Sequence, residues 1–123
     1  MNALQPILHP GIYVFCSLAK VDTSLIEKAT MWFKESEGIT IIVDKESADA
    51  HQLKYTYLAA WITVGITTTL NMVGLTALFS SALAKHGISC NVVAAFYHDH
   101  IFVDVKDAVR AVDILSNLSF QDI

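Results

Sequence analysis

From residue 11 to residue 18 every position but Ser17 is apolar or glycine. This run, Gly-Ile-Tyr-Val-Phe-Cys-Ser-Leu, has the β-branched and aromatic content of a strand. Asp22-Thr23-Ser24 then offers N-cap oxygens for a short helix over residues 24–28. Two apolar runs, 29–34 and 39–43, are parted by Glu35-Ser36-Glu37-Gly38, which predicts a β-hairpin. Asp44 caps a short helix through Ala50, and Lys54 opens a strand reaching about Ile66. Further on, Leu75, Leu78, Phe79, Ala82 and Leu83 form one apolar stripe at helical spacing, predicting a helix over 72–86. Gly87 stands where a left-handed residue ends such a helix. Residues 89–97 and 100–105 read as a second hairpin around His98-Asp99. Asp104 caps a last helix whose inner face carries Ala108, Ala111, Val112, Leu115 and Leu118. Residues 1–10, with Pro6 and Pro10, read as an extended lead-in.

The order strand, helix, hairpin, helix is thus stated twice. An internal match supports a repeat: Ile41-Ile42-Val43-Asp44-Lys45-Glu46-Ser47-Ala48 aligns with Ile101-Phe102-Val103-Asp104-Val105-Lys106-Asp107-Ala108, with four of eight positions identical. The fold class implied is α+β, two βαββα repeats (1–52 and 53–123) in one compact unit, an antiparallel sheet packed against helices. In 57–66 the even positions Leu58, Ala60, Ile62, Val64 and Ile66 are wholly apolar and are expected to face the helices. The odd positions Tyr57, Ala59, Trp61, Thr63 and Gly65 make a poor solvated face. A partner chain is the simple cover for it, so a homo-oligomer, most simply a dimer, is expected.

Of 123 residues, 54% are hydrophobic and 16% charged, which excludes disorder. The net charge of −4 excludes nucleic acid as the main partner. Cys16 and Cys90 sit in apolar runs without motif spacing and read as buried thiols of a reducing compartment. No secretory leader is visible in the first residues, and a cytoplasmic location is expected. Residues 55–84 carry no Asp, Glu, Lys, Arg or His, yet Thr67-Thr68-Thr69-Leu70-Asn71 interrupts them. The flanking runs are too short to cross a bilayer, so no membrane span is expected.

Little in the chain suggests catalysis. Ser80 and Ser81 lie mid-helix, Cys16 and Cys90 lie in strands, and no nucleophile elbow or phosphate loop is present. His98-Asp99-His100 could contribute metal ligands, but His9, His51 and His86 lack the spacing to complete a site. No metal or other cofactor is expected. The threonine run followed by Val73-Gly74-Leu75 joins a buried strand to a helix start, where free N–H groups and the helix dipole favour a carboxylate. Gly74 would let a ligand approach the backbone. The plainer alternative is that Thr69 or Asn71 simply caps the helix.

Residues 73–78, 83–89 and 91–103 resemble the ACT-domain superfamily, as do Gly11-Ile12-Tyr13-Val14-Phe15 and Glu37-Gly38-Ile39-Thr40-Ile41-Ile42-Val43. The closer resemblance is to small tandem ACT-like proteins related to the CASTOR-type amino-acid sensors, over residues 4–118. It implies ferredoxin-like modules and a non-catalytic regulatory protein binding a small molecule, most simply an amino acid. On this reading Thr67, Thr68, Thr69, Asn71, Val73, Gly74 and Leu75 hold the ligand, and His98, Asp99 and His100 close the site. The alternatives are an assembly module without ligand and a metal-dependent enzyme using the hairpin from His98 to His100.

Overall fold

A computed structural model describes residues 3–119 and 121. In chain order the elements are β1 (Pro6–Leu8), β2 (Tyr13–Leu18), α1 (Thr23–Lys28), β3 (Met31–Lys34), β4 (Ile39–Asp44) and α2 (Lys45–Ala50). They continue with β5 (Leu58–Val64), α3 (Leu75–Lys85), β6 (Asn91–Ala94), β7 (Asp99–Asp104), a 3-10 turn (Val105–Asp107) and α4 (Ala108–Ser116). The short helices begin where acidic side chains cap them. Asp22 accepts from the amides of Ser24 and Leu25, and Asp44 from that of Ser47. Both satisfy donors that a helix start leaves unpaired. Asp104 does the same for the amide of Lys106.

The chain divides into two compact units, one of residues 11–59 and one of residues 3–10 with 60 onward. In the first, β2 pairs antiparallel with β4 from Tyr13↔Asp44 to Leu18↔Ile39, and β3 pairs with β4 on its other side. Alternation sends Val14, Cys16, Ile41 and Val43 inward, where they meet Leu25 of α1 and Ala48 of α2.

In the second unit β5 lies between β1 and β7, and β6 pairs with β7 from Asn91↔Phe102 to Ala94↔Asp99. Helices α3 and α4 bury Leu75, Phe79, Leu83, Ala111 and Leu115 against Ala60, Ile62, Val64, Ile101 and Val103. Each large side chain so buried contributes about 1.5–3 kcal/mol. The even positions of β5 do face the helices. On its opposite face Thr63 is 6% exposed, and the chain's own His9 lies against it.

Ten residues carry the repeat most plainly. Positions 41–50 and 101–110 show the same succession of buried, half-buried and exposed side chains, residue for residue. The two hairpins close alike, the Glu35 amide donating to the Gly38 carbonyl (2.9 Å) and the Ala95 amide to the His98 carbonyl (3.0 Å).

Several boundaries differ from the sequence expectations. The lead-in contains a strand, since β1 pairs with β5 in the register Pro6↔Val64 to Leu8↔Ile62. Its Pro6 takes the first position, where a missing N–H is tolerated. Gly65 lets this segment approach: a Cβ there would sit 2.5 Å from the Gln5 carbonyl oxygen. The second hairpin turns over residues 95–98, so Asp99 begins β7 and does not stand at the tip. Strand β5 starts at Leu58 and α3 at Leu75, each a few residues later than expected. The last helix is preceded by a 3-10 turn, and Asp104 caps that turn. No helix among the described residues is long and apolar enough to cross a membrane.

Candidate functional site

The loop from β5 to α3 is tied to a neighbouring turn and bonded within itself. The Thr68 amide donates to the Tyr97 carbonyl (3.1 Å), tying the loop to the turn before β7, and Thr68 is 7% exposed. The Met72 amide donates to the Thr69 carbonyl (3.1 Å), and the Thr69 hydroxyl donates to Asn71 Oδ1 (2.9 Å). Both expected capping residues are thereby engaged with the loop itself.

Gly74 occupies the N-cap position of α3 with φ 94° and ψ −13°, a left-handed conformation that glycine adopts without strain. Having no side chain, it cannot cap. The first intrahelical bond runs from the Leu78 amide to the Gly74 carbonyl (3.0 Å). The amides of Leu75, Thr76 and Ala77 therefore precede the helical ladder without the side-chain acceptor that α1 and α2 have. They form the positive end of an eleven-residue helix.

Beside this helix start lies a pocket of about 80 Å3, lined by Thr68, Thr69, Leu70, Met72, Leu75, Thr76, Ala94 and Asp99. That is room for more than one water, each of which takes about 30 Å3 in the liquid. Asp99 brings the carboxylate. Burial pushes its pKa above the ordinary value, and His100 opposes that rise only in part. Asp99, the three threonines and the first residues of α3 thus line one pocket.

Of the ten residues singled out from the sequence, Thr68, Thr69, Leu75 and Asp99 line this pocket. Thr67 and Asn71 are exposed, and Val73 is 87% exposed. Gly74 borders a shallower groove along α3 with Ala77, Leu78 and Ser81. His98 donates from Nδ1 to the Ile66 carbonyl (3.0 Å) and so braces the loop. His100 turns to the other face of the sheet, where its Nδ1 meets Trp61 Nε1 and Thr63 Oγ1, each at 3.0 Å. Strand parity is the reason: Ile101 faces the helices, so Asp99 does too and His100 cannot. The sequence reading did not include Leu70, Met72, Thr76 and Ala94. Two of these were accessible in principle, Thr76 as the second residue after a glycine N-cap and Ala94 as the cross-strand partner of Asp99.

Among the described residues no group of three or more His, Cys, Asp and Glu side chains converges to hold a metal ion. Burial pushes the Cys90 thiol up to about 11 and the Cys16 thiol upward as well, so neither forms a thiolate near neutral pH.

The 11–59 unit does not duplicate the pocket. At the repeat offset, Asp99 corresponds to Ile39, His98 to Gly38 and His100 to Thr40. Its β2–α1 connection also starts a helix that Asp22 already caps.

Residues 1–60 and 58–117 each match a family model described as an ACT domain. Among curated proteins no sequence match is found. Among solved structures, a Vibrio cholerae protein of unknown function, described as a possible transport protein, is 37% identical. Its TM-score is 0.88 over 96% of this chain and 91% of that one. A protein from Agrobacterium tumefaciens is 16% identical, with TM-score 0.74 over 91% of this chain and 86% of its own. Aspartate kinase from Clostridium acetobutylicum is 11% identical, with TM-score 0.56 over 86% of this chain but 32% of that enzyme. The last two likenesses concern the fold alone. With both halves matched and a 37% identical relative along nearly its whole length, the chain belongs to the ACT-domain family and carries two ACT domains in tandem.

Proposed function

We propose that this protein is a non-catalytic regulatory module whose second ACT domain binds a small zwitterion, an amino acid, in the pocket at the start of α3. The observation that carries the reading is the pairing of an uncapped helix N-terminus with the Asp99 carboxylate in one small pocket. Backbone amides of the first turn of α3 donate to the ligand carboxylate without any basic side chain. Asp99 takes the ammonium group, and with a cation beside it the carboxylate ionises more readily. Thr68, Thr69 and Thr76 hydrogen-bond the ligand, and Leu70, Met72 and Leu75 limit its side chain. A pocket of about 80 Å3 favours the smaller amino acids. One ligand binds per chain, because only one of the two repeats has the acid and the uncapped helix.

The fold is shared with part of an aspartate kinase described as an important allosteric enzyme, which supports a regulatory role. Exposed Trp32 and Phe33 on edge strand β3 favour self-association of the chain. Free, buried or half-buried thiols suit a reducing, cytoplasmic setting.

Isothermal titration calorimetry tests the proposal. Wild type is titrated with each of the twenty amino acids, and Gly74→Val with those that bind. Valine at a φ of 94° is strained, so the helix start must shift. Circular dichroism first establishes that the variant is folded. Binding at one site per chain in wild type, lost in Gly74→Val, is expected. No binding by wild type, or equal affinity in a folded variant, would sink the reading.

A further inference from the structure

The threonine-loop pocket leaves one polar cluster of the second unit without a role. His9, just after β1, stacks on Trp61 of β5, with ring centroids 3.6 Å apart and planes 15° from parallel. Its Nε2 lies 2.7 Å from Thr63 Oγ1, which lies 3.0 Å from His100 Nδ1 on β7. Trp61 Nε1 lies 3.0 Å from the same Nδ1.

The proton positions in this chain follow by elimination. An indole nitrogen can only donate, so His100 Nδ1 accepts, and the neutral ring carries its hydrogen on Nε2. Thr63 faces the same lone pair and must donate as well, since two acceptors would otherwise oppose each other. Its oxygen then accepts from His9 Nε2–H. The network runs His9→Thr63→His100←Trp61.

That order makes its two imidazoles unequal. A proton added to His9 goes to Nδ1 and leaves the Nε2 donor in place. A proton added to His100 can go only to Nδ1, the atom that accepts two bonds. The acceptor becomes a donor facing the indole N–H, and the Trp61 bond is lost. The His9 ring rests on that same Trp61, and the His9 amide donates to the Trp61 carbonyl (2.9 Å).

We propose that this network is a proton-sensitive latch, which fastens the His9 end of β1 to β5 while His100 is neutral and loosens it when His100 is protonated. The surroundings favour the neutral state. Titratable groups facing His100 are His9 from the segment after β1, His98 from the β6–β7 turn and Asp99 on its own strand. Trp61 and Thr63 on β5 and the cross-strand Val93 on β6 carry no charge. Burial lowers the His100 pKa, His98 and His9 lower it further, and Asp99 opposes them. Burial also lowers that of His9. The latch therefore opens below the ordinary imidazole value of about 6.5. Its four side chains lie on the other face of the sheet from the ligand pocket, whose Asp99 acts on His100 through its charge alone.

Nitrogen-15 NMR of the ligand-free full chain, titrated from about pH 8 to about pH 5, tests it, with the Trp61 indole N–H and the His100 ring followed together. The Trp61 signal should move in a single one-proton step with the His100 midpoint, below about 6.5. The His9 amide should lose protection from exchange over the same interval. His100→Asn retains an acceptor oxygen near the Nδ1 position but cannot titrate, and should abolish the step. His9→Gln retains a donor near the Nε2 position, and should keep it. A Trp61 signal that does not follow His100 in wild type overturns the proposal. So does a step that persists in His100→Asn or vanishes only in His9→Gln.

Discussion

Replacing Asp99 by Asn should move folding and binding in opposite directions. The carboxyl is held partly out of water beside the threonine loop, and burial raises its pKa. A group whose folded pKa lies above its unfolded value adds stability below the unfolded value and loses it as pH rises through the folded one. For Asp99 the unfolded value is near 3.8. At pH 7 the empty protein therefore carries an ionised side chain that the fold disfavours, and a neutral amide relieves it. Asp99→Asn should melt at or above wild type at pH 7, with the difference shrinking toward pH 4. Binding should suffer instead. A hydrogen bond to a charged group contributes about 1.5–3 kcal/mol, and the amide oxygen still supplies a neutral one of about 0.5–1.5 kcal/mol. The difference of about 1–2 kcal/mol corresponds to a Kd raised roughly 5- to 30-fold. Differential scanning calorimetry without ligand and titration calorimetry with the tightest-binding amino acid measure both quantities on one preparation. A variant that melts well below wild type at pH 7 and binds as tightly would show that Asp99 is a structural residue, and the reasoning would fail.

Three other outcomes follow from the geometry. Gly65→Ala places a Cβ 2.5 Å from the Gln5 carbonyl oxygen, whose bond from the Gly65 amide is 2.8 Å long. It should lower stability by about 1–3 kcal/mol in urea unfolding, and an unchanged midpoint would show that β1 adapts freely. Calorimetry should return one ligand per chain, whereas two would mean that the 11–59 unit also binds. Sedimentation at micromolar concentration should find a dimer or larger, given Trp32 at 48% and Phe33 at 65% exposure on edge strand β3. A monomer of 13.5 kDa would reject self-association.

Local periodicity made most of the elements legible. Asp22 and Asp44 cap the helices they precede, and the stripe of Leu75, Phe79 and Leu83 is buried. The offset repeat reappears as matched burial at 41–50 and 101–110. What stayed hidden depended on partners far away in the chain. Three residues starting with proline do not announce a strand, and β1 exists because Gly65 admits it. His98, Asp99 and His100 looked like one cluster because they are adjacent. The turn closing at His98 then starts a strand, and parity sends Asp99 to the helix face and His100 to the other. Thr68 of the loop and Asp99 of β7 line one pocket, where the Thr68 amide binds the Tyr97 carbonyl. Ala94 and Met72 carry no local mark of a pocket wall, since their position follows from hairpin register and loop path.

Amide chemical-shift mapping with the tightest-binding amino acid tests most directly whether the start of α3 is where a zwitterion binds. The largest shifts are expected at Leu75, Thr76 and Ala77, whose N–H groups receive the carboxylate, with a second set at Thr68, Thr69 and Asp99. Saturable shifts centred elsewhere, or none at any amino-acid concentration, would leave Gly74 as no more than the beginning of a helix.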